Sequence, residues 1–234
     1  MNLLTLGVET SGMIGAVALR RAGETVESVS LQQAGRRHAQ TLVAEVDALL
    51  RRAGVTSQQL EVVSVSIGPG SFTGLRVGVV FAKTLAYAIG CRLAAVDTFR
   101  AIAAAAPVDV SEVFVVSDAQ RGDLFVGHYT IDETSRCPIR LGEISIESAG
   151  AFGQRVTELA AMRMDLAVSG PAAATLSATL PSSVRLVAPD LLQPRAELIA
   201  ALGEQQVLAG DVSDPWRLEP FYLRRSAAEE KAAS

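Results

Sequence analysis

The chain has 234 residues, 49% of them hydrophobic and 20% charged, with a formal net charge of −4. That length suits one large domain or two lobes of about 100 residues, and the balance excludes a disordered chain. The acidic charge argues against an autonomous nucleic-acid binder, which needs clustered Lys and Arg; only Lys83 and Lys231 are lysines.

Met1 leads straight into an apolar run containing Glu9, so no signal peptide is expected. No run approaches the roughly 20 apolar residues of a membrane span, the longest, Val77 to Ile89, being broken by Lys83 and Thr84. Cys91 and Cys137 lie outside any Cys-x-x-Cys pair and read as reduced thiols of a cytoplasmic protein.

In chain order, Leu3–Val8, Ile14–Leu19 and Val26–Leu31 predict a three-stranded antiparallel meander. From His38 to Ala53 the period changes, with Leu42, Val43, Val46, Leu49 and Leu50 on one helical face and Gly54 as the stop. Glu61–Ile67 predicts a buried strand, residues 68–74 a loop, and Leu75–Ile89 a second helix ended by Gly90. A strand at Leu93–Val96 and a helical piece at Phe99–Ala106 follow. The layout then restarts. Val113–Ser117 runs into Asp118, Leu124–Ile131 follows, and Ile139–Ile146 predicts a third strand. Glu9 and Asp118 sit 109 residues apart at matching places, which suggests two lobes related by duplication. Beyond lie a helix at Ala151–Ala161, a strand at Leu166–Ser169, a short helix at Ala172–Leu180 and a last helix at Ala196–Ala209. Pro215 and Pro220 keep the tail extended.

The sharpest local signal is the loop from Gly68 to Gly74, with Gly70, Ser71 and Thr73 inside it. Successive backbone N–H groups entering a helix suit an anion, and Glu9, Thr10 and Ser11 at the end of the first strand would face phosphate or metal in a phosphotransfer fold. The plainer reading is a helix capped by Ser71 or Thr73 and acids at Glu9 and Asp118 that cap their turns. No Gly-Lys-Ser/Thr follows the loop, so it is not a Walker A motif. His38 and His128 stand far apart, no metal-ligand spacing is spelled out, and no nucleophile is paired with a base. We therefore expect no catalytic residue and no metal site. The helix from Leu75 has only Arg76, Lys83, Thr84 and Tyr87 as polar residues, so it is either central in the domain or covered by a partner.

At this point the chain resembles the TsaB (YeaZ) family, partners of the tRNA threonylcarbamoyl transferase TsaD. Leu4–Ser11 is similar to that family's opening, which usually has Asp where Glu9 stands; Arg36–Gln40 resembles its helix start, Gly68–Gly78 its most specific motif, Asp118–Phe125 its second strand pair and Glu219–Arg224 its tail. The resemblance implies an α/β fold of two actin-like (ribonuclease H-like) lobes, each a mixed sheet of five strands flanked by helices, with limits at 1–105 and 106–225 and a flexible tail at 226–234. It implies a helix pair that binds TsaD, with His38, Leu42, Val46, Leu75, Arg76, Val79, Ala82, Lys83 and Ala86 as interface residues. It further implies TsaE as a partner, a homodimer when the chain is alone, and tRNA reached only through the complex. The stretch Asp97–Ile102 lacks the His-x-x-x-His metal pair of TsaD, and Ser169-Gly170-Pro171 departs from the Gly-Gly adenosine loop of active relatives. Both departures imply a non-catalytic subunit needing no cofactor, ATP/ADP and metal belonging to the partner complex. The rival is an active ATPase or kinase of the same fold using Glu9, Asp118 and the glycine loop; a glycoprotease ranks last.

Overall fold

The computed structural model describes residues 3–31, 38–162 and 165–223. Arg36, Arg37, Arg224 and the 226–234 tail lie outside them, as do the side chains of His38, Ala39 and Gln40.

Two compact units are present, residues 1–98 with 195–234, and residues 99–194. In the first unit the strands β1 (Leu4–Glu9), β2 (Ala16–Arg21), β3 (Glu24–Ser30), β4 (Val62–Ser66) and β5 (Arg92–Val96) form one sheet in the order β3-β2-β1-β4-β5. β1 to β3 are the expected antiparallel meander, and β4 and β5 join in parallel. Helices α1 (His38–Arg52) and α2 (Phe72–Ile89) supply the parallel crossovers. β1 and β4 are buried along their whole length, as near-continuous apolar runs covered on both faces should be. Leu42, Val46, Leu49 and Leu50 of α1 and Val79, Ala82 and Ala86 of α2 pack with Leu6, Val8, Val63 and Val65 in one core.

The second unit repeats the plan. β6 (Glu112–Asp118) and β7 (Asp123–Ile131) form an antiparallel pair, β10 (Leu166–Ser169) joins β6 in parallel, and β11 (Arg185–Leu186) joins β10. The single third strand expected at 139–146 is split into β8 (Pro138–Arg140) and β9 (Ser145–Ser148), both paired with β7, so this sheet has six strands. Gly142 between them has φ +81°, a left-handed turn that breaks the ladder. With β8 and β9 counted as one, the order is again 3-2-1-4-5. Helix α4 (Ala149–Ala160) sits where α1 does in the first unit, whereas α2 is matched only by a 3₁₀ turn at Ala173–Leu176. The short α3 (Thr98–Ala103) precedes β6.

The limits differ from the sequence-based 1–105 and 106–225. Helix α5 (Ala196–Leu208), assigned from sequence to the second lobe, lies on β1, β2, β4 and β5. It lies close because the groups beneath it are small. A Cβ at Gly203 would land on the Ser64 side chain, and one at Gly7 on the backbone of Ala196. Gly203→Val should therefore cost about 1–3 kcal/mol through overpacking. At about 2–4 °C per kcal/mol for a chain of this size, a melting point lower by about 2–12 °C is expected by calorimetry.

Candidate functional site

Where β1 ends, Glu9 is fully buried. Its Oε1 accepts from the Ser11 N–H, the Ser11 hydroxyl and the Gly12 N–H at 3.1 Å. Its Oε2 makes no hydrogen bond of ordinary geometry among the described residues. Burial pushes the carboxyl above its usual range, opposed by the nearby hydroxyls of Ser11 and Ser66 and the N–H groups of Ser11 and Gly12. Asp118, the matching residue of the second unit, is exposed and accepts from the Gln120 N–H at 2.7 Å. Both acids cap their own turns, and the Glu9 carboxyl is fully buried.

Thr10 and Ser11 occupy the space that the glycine-rich loop leaves open. Cβ atoms at Gly74 and Gly78 would strike Thr10, and one at Gly70 would lie 2.6 Å from the Ser11 Cβ. The Ser71 N–H donates to the Ser11 carbonyl (2.8 Å), and the Thr10 hydroxyl to the Gly74 carbonyl (2.8 Å). Ser71 is the N-cap of α2, accepting from the Gly74 N–H at 3.3 Å, and Thr73 is exposed within the helix. The glycines thus bring α2 against the β1 turn, and the cradle considered for an anion is filled by the chain itself. Gly68 meets the chain's own tail, since its N–H donates to Thr98 Oγ1 (3.1 Å) and a Cβ there would lie 2.7 Å from the Phe221 carbonyl.

Glu9 also sets a pH dependence. Its folded pKa is raised above the 4.5 of an unperturbed carboxyl, so above pH 4.5 the folded chain keeps a proton that the unfolded chain has released. That contribution to stability is complete below 4.5 and is lost as pH rises through the folded value. Glu9→Gln keeps an acceptor for the Ser11 and Gly12 donors without the ionisation cost. Its stability relative to wild type should rise with pH across that window, read from urea midpoints between pH 4 and 8.

Most of the side chains expected at the interface face inward instead. Leu42, Val46, Leu75, Val79, Ala82 and Ala86 are buried in the core of their own unit. They form the inner faces of α1 and α2, and the small residues Gly78, Ala82 and Ala86 let α2 approach its own sheet. The outer face was missed. Val80 is 62% exposed, Tyr87 65% and Val43 of α1 66%; Arg76 is exposed and Lys83 half-buried. The helical period from Leu75 carried this signal, since positions 76, 80, 84 and 87 lie opposite 75, 79, 82 and 86. Only six of the 18 residues of α2 are buried. By length and composition alone α2 is also apolar enough to cross a membrane, because it begins at Phe72 rather than Leu75.

Elsewhere, His128 Nε2 lies 2.6 Å from Glu112 Oε1, and its ring stacks on Phe114 at 4.0 Å. That is a strand histidine with a structural partner. Among the described residues no three His, Cys, Asp or Glu side chains are grouped to hold a metal, and both cysteines are free thiols.

Two sheets of one strand order, each opening on a hairpin with an acid at its turn, are the plan of actin-like lobes. A hexokinase of the ROK type from Thermus thermophilus shares that plan, with a TM-score of 0.51 at 12% identity over 88% of this chain and 100% of its own. A family model described as TsaD, tRNA N6-adenosine threonylcarbamoyltransferase, matches residues 26–232. The chain belongs to this family, as a member of its TsaB (YeaZ) group.

The tRNA threonylcarbamoyladenosine biosynthesis protein TsaB of Haemophilus influenzae is 25% identical over 98% of this chain and 97% of its own length. The TsaB of Bacillus subtilis is 32% identical over 53% of this chain, a match that spans 54% of that relative. A Pseudomonas aeruginosa crystal structure, of an uncharacterized protein with similarity to peptidase YeaZ, has a TM-score of 0.81 at 26% identity, covering 95% of this chain and all of the other.

Proposed function

We propose that this chain acts in the biosynthesis of threonylcarbamoyladenosine in tRNA as a non-catalytic subunit that binds TsaD. Its similarity to TsaB proteins of tRNA threonylcarbamoyladenosine biosynthesis supports the pathway. The observation that carries the subunit role is the outer face of α2: Val80 and Tyr87 stand in water on a helix with no acidic residue. Exposed apolar patches of this kind mark interaction sites.

In this reading α2 meets TsaD with Val80, Thr84, Tyr87, Arg76 and Lys83, and α1 adds Val43. TsaE joins the assembly, tRNA is held through the complex, and the same face makes a homodimer when the chain is alone. The chain works in the cytoplasm and holds no cofactor or metal of its own. ATP or ADP and metal belong to TsaD and TsaE. The self-filled glycine loop and the inward carboxyl of Glu9 support this assignment against the ATPase reading.

Reconstitution tests it. Threonylcarbamoyladenosine formation by TsaD and TsaE, with the enzyme that supplies the threonylcarbamoyl donor, should rise at least tenfold on adding this chain. The chain alone should hydrolyse no ATP above the Glu9→Gln background. ATP turnover by the chain alone that disappears in Glu9→Gln would overturn the assignment in favour of the ATPase.

A further inference from the structure

The turn after β1 seats the N-terminus of α2. The Ser71 N–H donates to the Ser11 carbonyl (2.8 Å), and the Thr10 hydroxyl donates to the Gly74 carbonyl (2.8 Å). Gly70, Gly74 and Gly78 leave no room for a side chain between helix and turn. The Thr10 N–H also reaches Ser66 Oγ at the end of β4 (3.5 Å). Strand, loop and helix therefore converge on this one turn.

Glu9 shapes it. A single oxygen, Oε1, accepts from the Ser11 N–H, the Ser11 hydroxyl and the Gly12 N–H. The carboxyl is fully buried, and among the described residues no charged side chain perturbs its ionisation. What the turn takes from Glu9 is thus a hydrogen-bond acceptor rather than a charge.

The second unit shows the same turn without the helix. Its matching acid, Asp118, is exposed and accepts from the Gln120 N–H (2.7 Å). There the loop after β10 bonds to the strand itself, the Ala172 N–H donating to the Val116 carbonyl (3.2 Å), and the 3₁₀ turn at Ala173–Leu176 stands in the place of α2. The acid is buried in the unit whose turn seats an 18-residue helix, and exposed in the other. A helix of 18 residues is about 27 Å long, so a shift where α2 enters tilts its whole outer face. A binding surface keeps its affinity only while supporting groups hold it in the bound geometry.

We propose that Glu9 is a positioning residue: through the turn that it shapes, it fixes the entry of α2 and so the way the helix is presented to TsaD. This rests on the reading given under Proposed function.

The test is the reconstituted reaction, followed against the concentration of the full chain as wild type, Glu9→Ala, Glu9→Gln, Gly70→Ala and Asp118→Ala. Glu9→Ala leaves the turn without its acceptor. It should need at least tenfold more chain for half-maximal stimulation of TsaD, yet reach the wild-type maximum. Glu9→Gln keeps the acceptor and should stay within twofold of wild type. Gly70→Ala retains Glu9 but puts a Cβ 2.6 Å from the Ser11 Cβ, and should need at least threefold more chain. Asp118→Ala should match wild type. In Glu9→Ala, hydrogen exchange should quicken severalfold at residues 74–78 and hold steady at 84–89.

Glu9→Ala within twofold of wild type overturns the proposal. Glu9→Gln as weak as Glu9→Ala also overturns it, because the charge would then be what acts. So does a lowered maximum at unchanged half-saturation. Should Glu9→Ala fail to fold, Gly70→Ala within twofold of wild type overturns the proposal by itself. No stimulation by wild type sinks the reading under Proposed function, and with it this inference; stimulation by wild type with indifferent variants sinks this inference alone.

Discussion

Val80→Glu should remove TsaD binding while leaving the chain folded. Val80 is exposed on the outer face of α2, so a carboxylate there stays hydrated in the free protein and costs almost nothing. In the complex it would be stripped of water opposite an apolar partner, and a buried unpaired charge costs several kcal/mol. A loss of about 3 kcal/mol is more than 100-fold in Kd. Isothermal titration should find no saturable binding, with a melting point within about 2 °C of wild type. Val43→Glu on α1, where the side chain is also exposed, should act in the same direction.

One position earlier the outcome reverses. Val79→Glu places the carboxylate in the core shared with Val65 and Ala82. With no partner there, the cost is several kcal/mol, a large part of the roughly 5–15 kcal/mol that keeps a domain folded. Soluble yield should collapse, and any recovered protein should melt far below wild type. Ala82→Glu fails for the same reason. Charge placed on the buried face thus tests the fold, and only charge on the outer face tests the interface. Equal melting points for Val79→Glu and Val80→Glu would contradict the orientation given to α2.

The antiparallel meander that opens each sheet was legible because its elements are local. The meander, the acidic turn and the change to helical period at residue 38 all lie in short stretches. The return of α5 to the first unit was not legible, since it depends on how closely Gly203 and Gly7 let helix and sheet approach across about 200 residues of chain. The split of the third strand hung on one glycine, Gly142, inside an otherwise plausible run.

At the candidate site, composition marked α2 as too apolar for a simple surface helix but did not say which side faced water. Gly78 and Ala82 turn inward, where they accommodate Thr10 and the sheet. The glycine loop left two readings open, because glycines that admit a phosphate and glycines that admit another strand's turn look alike in sequence; Ser71 caps α2, as the plainer reading expects.

Hydroxyl-radical footprinting of the chain, free and mixed with TsaD, reads the outer face of α2 most directly. Val80 and Tyr87 should be oxidised readily in the free chain and protected severalfold in the mixture, while exposed side chains of the second unit such as Val108 and Met162 keep their rates. Protection confined to residues 99–194, with Val80 and Tyr87 as reactive as before, would contradict the account.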